Sequence, residues 1–514
     1  MGKTCFCVYE VIRTLADLGP VCLVRREGGG ASTPCPIVGQ PASFVKTLPE
    51  PPGPLCLPIF GYLLQLKEDC HLKLTKLGKE FGSIYQIYLG SKRVVVISDP
   101  ALLRHAFKQS VFSGRPDTGL TKLLQGYGII NSGGALWHEQ RSFLHSVLRE
   151  FGAKNMGPNK ASLERNIQTQ VSEFLSSLSE TEGSPIYIRP TLARAVSNVV
   201  GSMLMSVTFK DDDGFKRLLY LIEEGFKLLT VAVPVNFMPF LRYMPVVRYA
   251  YRKIESNKKE TSAYFAEIAE KHRRTLDPEN IRDFVDAFFV EQQRAKTLDK
   301  ETYFSDAQLH QVMGDVFSAG LETVTSTLEW SVLFLITHKE VQTRVQEEID
   351  RIIGSERKPE LKDLTEMPYT DATIHEVLRR ANVIALGNSH ATLADTELGG
   401  YFIPKDTHVL PNLFAIHMDP TLWDSPEEFN PDRFLVNGRV VKPSFFMPFS
   451  VGRRTCVGDS LTKMEVFLFL TSLLQQFELR VPEGEDPPSL VGETHVSVTA
   501  KPFKVSAIPR ELSS

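Results

Sequence analysis

The sequence predicts a mainly helical fold with a smaller β-containing part, on three observations. Helical periodicity dominates from about residue 99 to 380. Strand-like patterns are confined to SIYQIYLGSKRVVVIS (83–98) and to the proline-rich stretch 381–455. No internal repeat appears, and no low-complexity tract beyond the leader. The 514 residues are 42% apolar and 23% charged, which is ordinary for a globular chain long enough for two domains or one large one. Fifty-eight basic against 61 acidic residues give a net charge of −3 and no general reason to expect nucleic acid.

Residues 1–47 read as an atypical, disordered leader. Short apolar runs alternate with a GGGAS tract, and Glu10, Asp17 and Glu27 interrupt the basic residues, so neither a secretory signal nor a transit peptide is legible. Cys5 and Cys7 are half of a metal site at best. No run of 18 apolar residues predicts a membrane-spanning helix. In LPEPPGPLCLPIFG (48–61) the prolines forbid helix, which predicts a stiff extended hinge over 48–58. A single domain is expected over 59–510. It opens with an amphipathic helix, HLKLTKLGKEFG (71–82), and two strands around a glycine turn in 83–98. The helical region that follows has breaks at Gly114–Pro116, Gly126–Gly134, Gly157–Pro158, 182–190 and 234–245.

Chemistry concentrates in FSVGRRTCVG (449–458). Six of the seven cysteines lie within the first 70 residues, which leaves Cys456 alone in the body. A body with one thiol holds no internal disulfide, so a reducing compartment is expected. The segment DSLTKMEVFLFLTSLLQQF (459–477) reads as a helix apolar nearly all round, hence buried. Cys456 therefore sits just before a helix N-terminus, where amide N–H groups and the helix dipole favour a thiolate. Gly452 and Gly458 remove side chains on either side of it, and Arg454 adds a cation. A thiolate, room for a plate and a cation for an acidic edge together suit haem iron with a cysteine ligand. A buried structural cysteine beside a tight turn fits the loop alone equally well.

At Phe449, Gly452, Arg454, Cys456 and Gly458 this loop resembles the cysteine-loop signature of the cytochrome P-450 family. The resemblance extends over roughly residues 48–508. HEVLRR places Glu376 and Arg379 one helical turn apart, and Arg433 of FNPDRF resembles the third member of the family's buried Glu–Arg–Arg cluster. MGDVFSAGLETVTSTLEW (313–330) resembles the long central helix over the distal haem face. Ala319 and Gly320 would leave space for dioxygen there. Thr323 would bond back to the carbonyl four residues earlier and open a local bulge, and Glu322 with Thr323 would form the acid–alcohol pair that delivers protons. Val324 departs from the second hydroxyl often found at that position. Trp137 and Arg141 match a W-x-x-x-R helix, and Arg115 and His390 fall where the family places propionate donors.

The resemblance implies haem b on a Cys456 thiolate, lying between the central helix and the cysteine-loop helix. It implies a monooxygenase that uses dioxygen. Electrons would come from NADPH through a separate NADPH–cytochrome P-450 reductase, since the chain itself shows no flavin or dinucleotide fingerprint. The reading left beside it is a haem-thiolate isomerase or dehydratase, or a haem sensor, none of which needs Thr323. PPGP and the body length resemble the microsomal branch, which implies the endoplasmic reticulum membrane and contact with a membrane surface. LREFGAKNMGPNK (148–160), DPENIRDFVDAFF (277–289), HMDPTLWDSPEEF (417–429) and FMPFSVGRRTCVGD (446–459) are similar to the arthropod subfamily that inactivates ecdysteroids by side-chain hydroxylation. A broad-specificity xenobiotic or fatty-acid monooxygenase is the alternative. Pocket-lining stretches at 115–130, 205–245 and 383–390 read as apolar. LLTVAVPVNFMPFLRYMPVV (228–247) reads either as a membrane-dipping entry surface or as a lid packed on the core.

Overall fold

The computed structural model describes residues 47–66, 69–153, 159–210, 212–299 and 301–510. Cys5, Cys7 and the rest of the leader fall outside them, as do the 154–158 portion of LREFGAKNMGPNK and the break at Gly157–Pro158.

The proline stretch runs along a sheet rather than standing as a separate spacer. Gln86 N donates to Pro52 O at 2.8 Å, and Phe402 N donates to Pro49 O at 2.9 Å. A Cβ on Gly53 would sit 1.9 Å from the Gln86 carbonyl oxygen, so only glycine permits this approach. Prolines suit such an edge because they have no N–H to leave unpaired. The sheet itself has four strands, in the order Ile84–Leu89, Lys92–Ile97, His408–Pro411, His390–Ala391. The first pair is antiparallel, the second parallel with Val95 opposite Val409, and the third antiparallel. Val95, Val96 and Ile97 are fully buried, as β-branched residues at the middle of a sheet should be.

Helices make up the rest. The central helix, Asp306–Thr337, starts where the Ser305 side chain accepts from Gln308 N, and its 32 residues span about 48 Å. Its second half is buried nearly all round, from Val324 to Ile336. The helix Arg189–Met205 crosses it, and the cysteine-loop helix Asp459–Gln476 packs against it from the other side. Phe467, Leu468 and Leu474 of the latter are fully buried, which accounts for the absence of a polar face.

Two lid helices, Asp213–Ala232 and Pro245–Arg274, lie against each other. The connection between them is broken by Pro234, Pro239 and Pro245, each at the start of a short helical piece or of the second lid helix. Val235, Met238, Leu241 and Val247 of this connection form a small core of their own with Phe60 and Leu63 against it. Phe240, Tyr243 and Tyr249 nevertheless remain exposed, as do Leu55 and Ile59 of the proline stretch.

The second lid helix ends in a charged knot. His272 Nε2 meets Asp283 Oδ2 at 2.7 Å, and its Nδ1 lies 3.0 Å from Ile268 O. Asp286 accepts from Arg282 at 2.6 and 2.8 Å. His272, Asp283 and Asp286 are close enough to bind a metal ion, but both imidazole nitrogens and the Asp286 carboxylate are already engaged. Ion pairing explains the cluster.

Candidate active site

One cavity of about 760 Å³ runs from Cys456 to the lid helices. Cys456, Phe449 and Arg454 line one wall, and Ala319, Glu322 and Thr323 of the central helix line another. Cys456 N donates to Phe449 O at 3.1 Å, which closes the loop two residues before the Gly458 cap of the Asp459–Gln476 helix. The sulfur lies near enough to Arg141 to act on it electrostatically. A Cβ on Gly458 would meet only that sulfur, at 3.8 Å, so the approach to it is open.

Gly452 works differently from the sequence expectation. Its φ is +82°, and a Cβ there would lie 2.1 Å from the Phe107 carbonyl oxygen. The residue lets the loop dock on the helix Pro100–Lys108 and does not clear space for a ligand. Gly320 is corrected in the same way. It does not line the cavity, and a Cβ on it would meet Val200 Cγ2 at 3.1 Å, so its small size serves helix–helix packing with Arg189–Met205. Ala319, with Ser318 beside it, is the small residue on the cavity wall next to Thr323.

Three guanidinium groups and an indole converge at the cavity edge. Arg115 Nε donates to Ile130 O at 2.8 Å and its Nη1 to Ser389 O at 2.7 Å. Arg141 Nη2 donates to Thr455 O at 2.5 Å. Arg454 donates to Ser113 O at 3.0 Å and Ser132 O at 2.7 Å, and its guanidinium lies 3.8 Å over the Trp137 ring. Trp137 Nε1 and Arg454 Nη1 are buried donors with no hydrogen-bond partner among the described residues. Burial, then repulsion from Arg115 and Arg141, pushes Arg454 down to about 8; burial, then Arg141, pushes Arg115 down to about 10. Orphaned donors and mutually repelling cations demand an anion. The two propionates of haem answer that demand, so the residues present fit the group.

His390 fits less well as a propionate donor. Its Nδ1 lies 2.7 Å from Phe112 O and its ring stacks on Phe107 at 3.7 Å. Burial and then Arg115 push it down to about 3, so the ring is neutral. A neutral ring that donates from Nδ1 to a carbonyl presents a lone pair at Nε2, which accepts rather than donates.

On the central helix, Thr323 Oγ1 donates to Ala319 O at 2.8 Å. The helix continues unbroken through this point, so no bulge opens. Glu322 is tightly held. Its Oε2 accepts from Arg189 Nη2 at 2.8 Å and its Oε1 from Ser497 Oγ at 3.0 Å. Arg189 also donates to Glu329 at 2.8 Å. Burial raises the Glu329 carboxyl against the pull of Arg189, with Glu322 adding to the rise. Sequence reasoning missed Arg189, Glu329 and Ser497, which lie too far from Glu322 for any spacing rule, apart from Glu329 two turns on.

Asp315 was missed as well. It is buried on the cavity wall, where its Oδ2 accepts from Ile129 N at 2.8 Å and Ile130 N at 3.0 Å, and its Oδ1 from Gln311 at 2.8 Å. It thereby pins the loop before the Gly134–Glu150 helix to the central helix. The available signal was an acid two turns before Thr323, between the apolar Met313 and Val316–Phe317. The walls are also less apolar than the sequence ranges suggested: Asn257, Lys258, Thr261 and Ser262 of the second lid helix line the cavity with His310 and Gln311.

Behind the cysteine loop, Glu376 of the helix Pro368–Ala381 accepts from Arg379 Nε and Nη2, both at 2.8 Å, from Arg433 Nε at 3.0 Å and from Asn430 N at 2.9 Å. Arg379 also donates to His417 O and Pro426 O at 2.8 Å. Glu376 and Arg379 are fully buried.

A sequence profile for the family described as Cytochrome P450 matches residues 51–507. The chain is 41% identical over 469 residues to Cytochrome P450 18a1 of Drosophila melanogaster, which covers 90% of this chain and 87% of that protein. It is 38% identical over 474 residues to Cytochrome P450 2D6 of Homo sapiens, covering 90% and 93%. Cytochrome P450 2J5 of Mus musculus is 36% identical over 465 residues, covering 90% and 91%.

Proposed function

We propose, from the premise that this chain belongs to the cytochrome P-450 family of haem-thiolate monooxygenases, that its substrate is an ecdysteroid-type steroid hydroxylated on the side chain. The observation that carries the reading is Cys456 and Thr323 on facing walls of one cavity, with the anion-seeking cluster at its edge. Cys456 would hold the haem iron through its thiolate. Arg115, Arg141, Arg454 and Trp137 would hold the propionates, with Phe449 beside the ring. When bound, haem with a thiolate ligand supplies the electron donation that favours O–O cleavage and C–H hydroxylation.

The chain's own residues position, protonate and exclude water. Thr323 spends its proton on Ala319 O and keeps two acceptor lone pairs for a cavity water. Glu322 is the acid beside it, and Arg189 and Ser497 fix its carboxylate in one place. It lines the cavity with both oxygens engaged, so the ion pair with Arg189 holds the carboxylate at the wall beside Thr323. The Glu376–Arg379–Arg433 cluster is structural. Ala319 leaves room for dioxygen.

The similarity to the Drosophila protein and the segments named above favour a steroid over the broad-specificity alternative. Among the described residues no helix is long and apolar enough to cross a membrane. The exposed Leu55, Ile59, Phe240, Tyr243 and Tyr249 support attachment of the body to the endoplasmic reticulum surface, where NADPH–cytochrome P-450 reductase would supply electrons.

The test is turnover of an ecdysteroid under oxygen-18 gas with a microsomal reductase and NADPH. One labelled oxygen in a side-chain hydroxyl is expected. An untouched ecdysteroid alongside hydroxylated fatty acids or drug-like compounds would overturn the steroid reading. The ligand assignment is checked by Cys456→His, which should abolish the red-shifted carbon monoxide spectrum of the reduced protein.

A further inference from the structure

The lid end of the cavity carries groups that the oxygen chemistry does not use. Asn257 of the second lid helix is only 5% exposed and lines the cavity. Its Nδ2 donates to Glu224 on the first lid helix at 2.8 Å, while its Oδ1 has no hydrogen-bond partner among the described residues. A buried, unpaired carbonyl oxygen is a costly feature to keep. Thr261 lies one turn further along the same face and Ser262 beside it, and both line the cavity. Threonines and serines inside helices commonly donate to the carbonyl four residues back, as Thr169 does to Arg165 at 2.9 Å. The hydroxyls of Thr261 and Ser262 have no such partner among the described residues.

Lys258 donates to the Leu123 carbonyl, and His310 and Gln311 close the pole from the central helix. Gln311 lies 12 residues before Thr323 on one continuous helix, which puts about 18 Å between this pole and the site of oxygen chemistry.

We infer that Asn257, Thr261 and Ser262 form a hydrogen-bonding pole that reads hydroxyl groups at the end of the substrate remote from Cys456. This deepens the steroid reading and rests on it: the substrate is polyhydroxylated at one end, and oxidation falls on the other. The chemistry of the pole selects hydroxyls. Asn257 Oδ1 needs a donor, which a carboxylate lacks, so a fatty-acid head group is disfavoured there. Thr261 and Ser262 both donate and accept, which matches an alcohol. A wholly apolar ligand would seal all three without partners. A ligand whose hydroxyls are held at the lids presents its opposite terminus to Thr323, so the pole acts as a ruler as well as a filter.

The experiment is equilibrium titration of the haem-loaded protein, read by the Soret shift that displacement of ligand water produces. The probes are ecdysone and 25-hydroxycholesterol, which share a hydroxylated side chain but differ in ring hydroxyls. The wild type should prefer ecdysone. In Asn257→Leu/Thr261→Val/Ser262→Ala that preference should shrink by about tenfold or more, since each hydrogen bond is worth a few-fold in affinity, while 25-hydroxycholesterol binding holds. Thr261→Val/Ser262→Ala leaves the Asn257–Glu224 bond in place and should show part of the same loss, which guards against a variant that fails to fold. An unchanged preference in both variants overturns the pole while leaving the steroid reading intact. If neither steroid binds the wild type, the steroid reading falls. The pole is then judged on 1,12-dodecanediol against 1-dodecanol: a preference for the diol that the variants lose sustains it, and equal ratios in all proteins overturn it.

Discussion

Replacing Glu376 by alanine should cost this protein most of its folded population, and the structure says why. The carboxylate accepts four hydrogen bonds, two from Arg379, one from Arg433 and one from Asn430 N. Without it, Arg379 keeps carbonyl partners at His417, Pro426 and Glu428 but loses its only buried counter-charge in the network. An unpaired buried charge of this kind costs about 3–5 kcal/mol. Whole domains are stable by about 5–15 kcal/mol, so one substitution removes about a fifth or more of the margin. The consequence reaches the active site through position: the helix Pro368–Ala381 would lose its ties to Asn430 and Arg433 in the stretch that leads into the cysteine loop. The assay is haem content per polypeptide and the midpoint of thermal or denaturant unfolding. Glu376→Ala should yield little haem-loaded protein and a lowered midpoint. Glu376→Ala/Arg379→Ala should be less damaging than the sum of its parts, because the double variant no longer strands the fully buried Arg379 charge. Normal haem content and an unshifted midpoint in Glu376→Ala, with only slower turnover, would refute the structural assignment.

Thr323→Ala should fold and bind haem, since alanine is the better helix former, but NADPH consumption should run on while product falls and peroxide rises. Unchanged product per NADPH would reduce Thr323 to a core residue. Asp315→Ala should free the backbone at Ile129 and Ile130, costing about 1–3 kcal/mol for the stranded N–H groups and raising the substrate KM, with faster proteolysis or hydrogen exchange confined to that loop. For His272, burial lowers the pKa, but the hydrogen bond and charge of Asp283 outweigh it and raise the folded value above 6.5. That stabilisation is complete below about pH 6.5 and is lost as pH rises through the folded value. The stability gap between wild type and Asp283→Asn, measured by denaturant titration, should therefore be widest at pH 6 and narrow toward pH 9. Asn keeps the helix cap that Asp283 gives Asp286 N.

What was legible in the sequence was local. A lone thiol before an apolar helix, an i,i+3 acid–base pair and an Ala-Gly-x-Glu-Thr run all lie within one or two turns of chain, where spacing alone fixes a shared face. Residues were found this way even where the reason was not. Gly452 and Gly320 were singled out as space for a ligand, yet Gly452 accommodates the Phe107 carbonyl and Gly320 the Val200 side chain. A sequence shows that a side chain is missing but not which neighbour requires it. Contacts across long separations were silent. Arg189 reaches Glu322 and Ser497 reaches it from the far end of the chain, and the proline stretch docks on strands that follow it. The lid pole escaped for another reason: Asn257, Thr261 and Ser262 sit in a helix otherwise rich in lysine and glutamate, where polar residues read as solvated surface.

The two ends of the cavity make opposite electrostatic demands. At the cysteine end, Arg115, Arg141 and Arg454 come from three separate stretches of chain, and burial first, then their mutual repulsion, depresses Arg115 and Arg454. Folding that end without an anion is unfavourable by itself, so carboxylates that arrive there pair with the arginines and stabilise the fold by mass action. At the lid end the three polar residues of the pole are uncharged, and neither Thr261 nor Ser262 has a hydrogen-bond partner among the described residues. With the arginines holding the haem propionates, a substrate's hydroxyls would find unpaired partners at the lids, where Lys258 already donates to the Leu123 carbonyl. The direction in which a substrate lies along the central helix, and hence which of its carbons faces Thr323, follows from that asymmetry more than from the shape of the apolar walls.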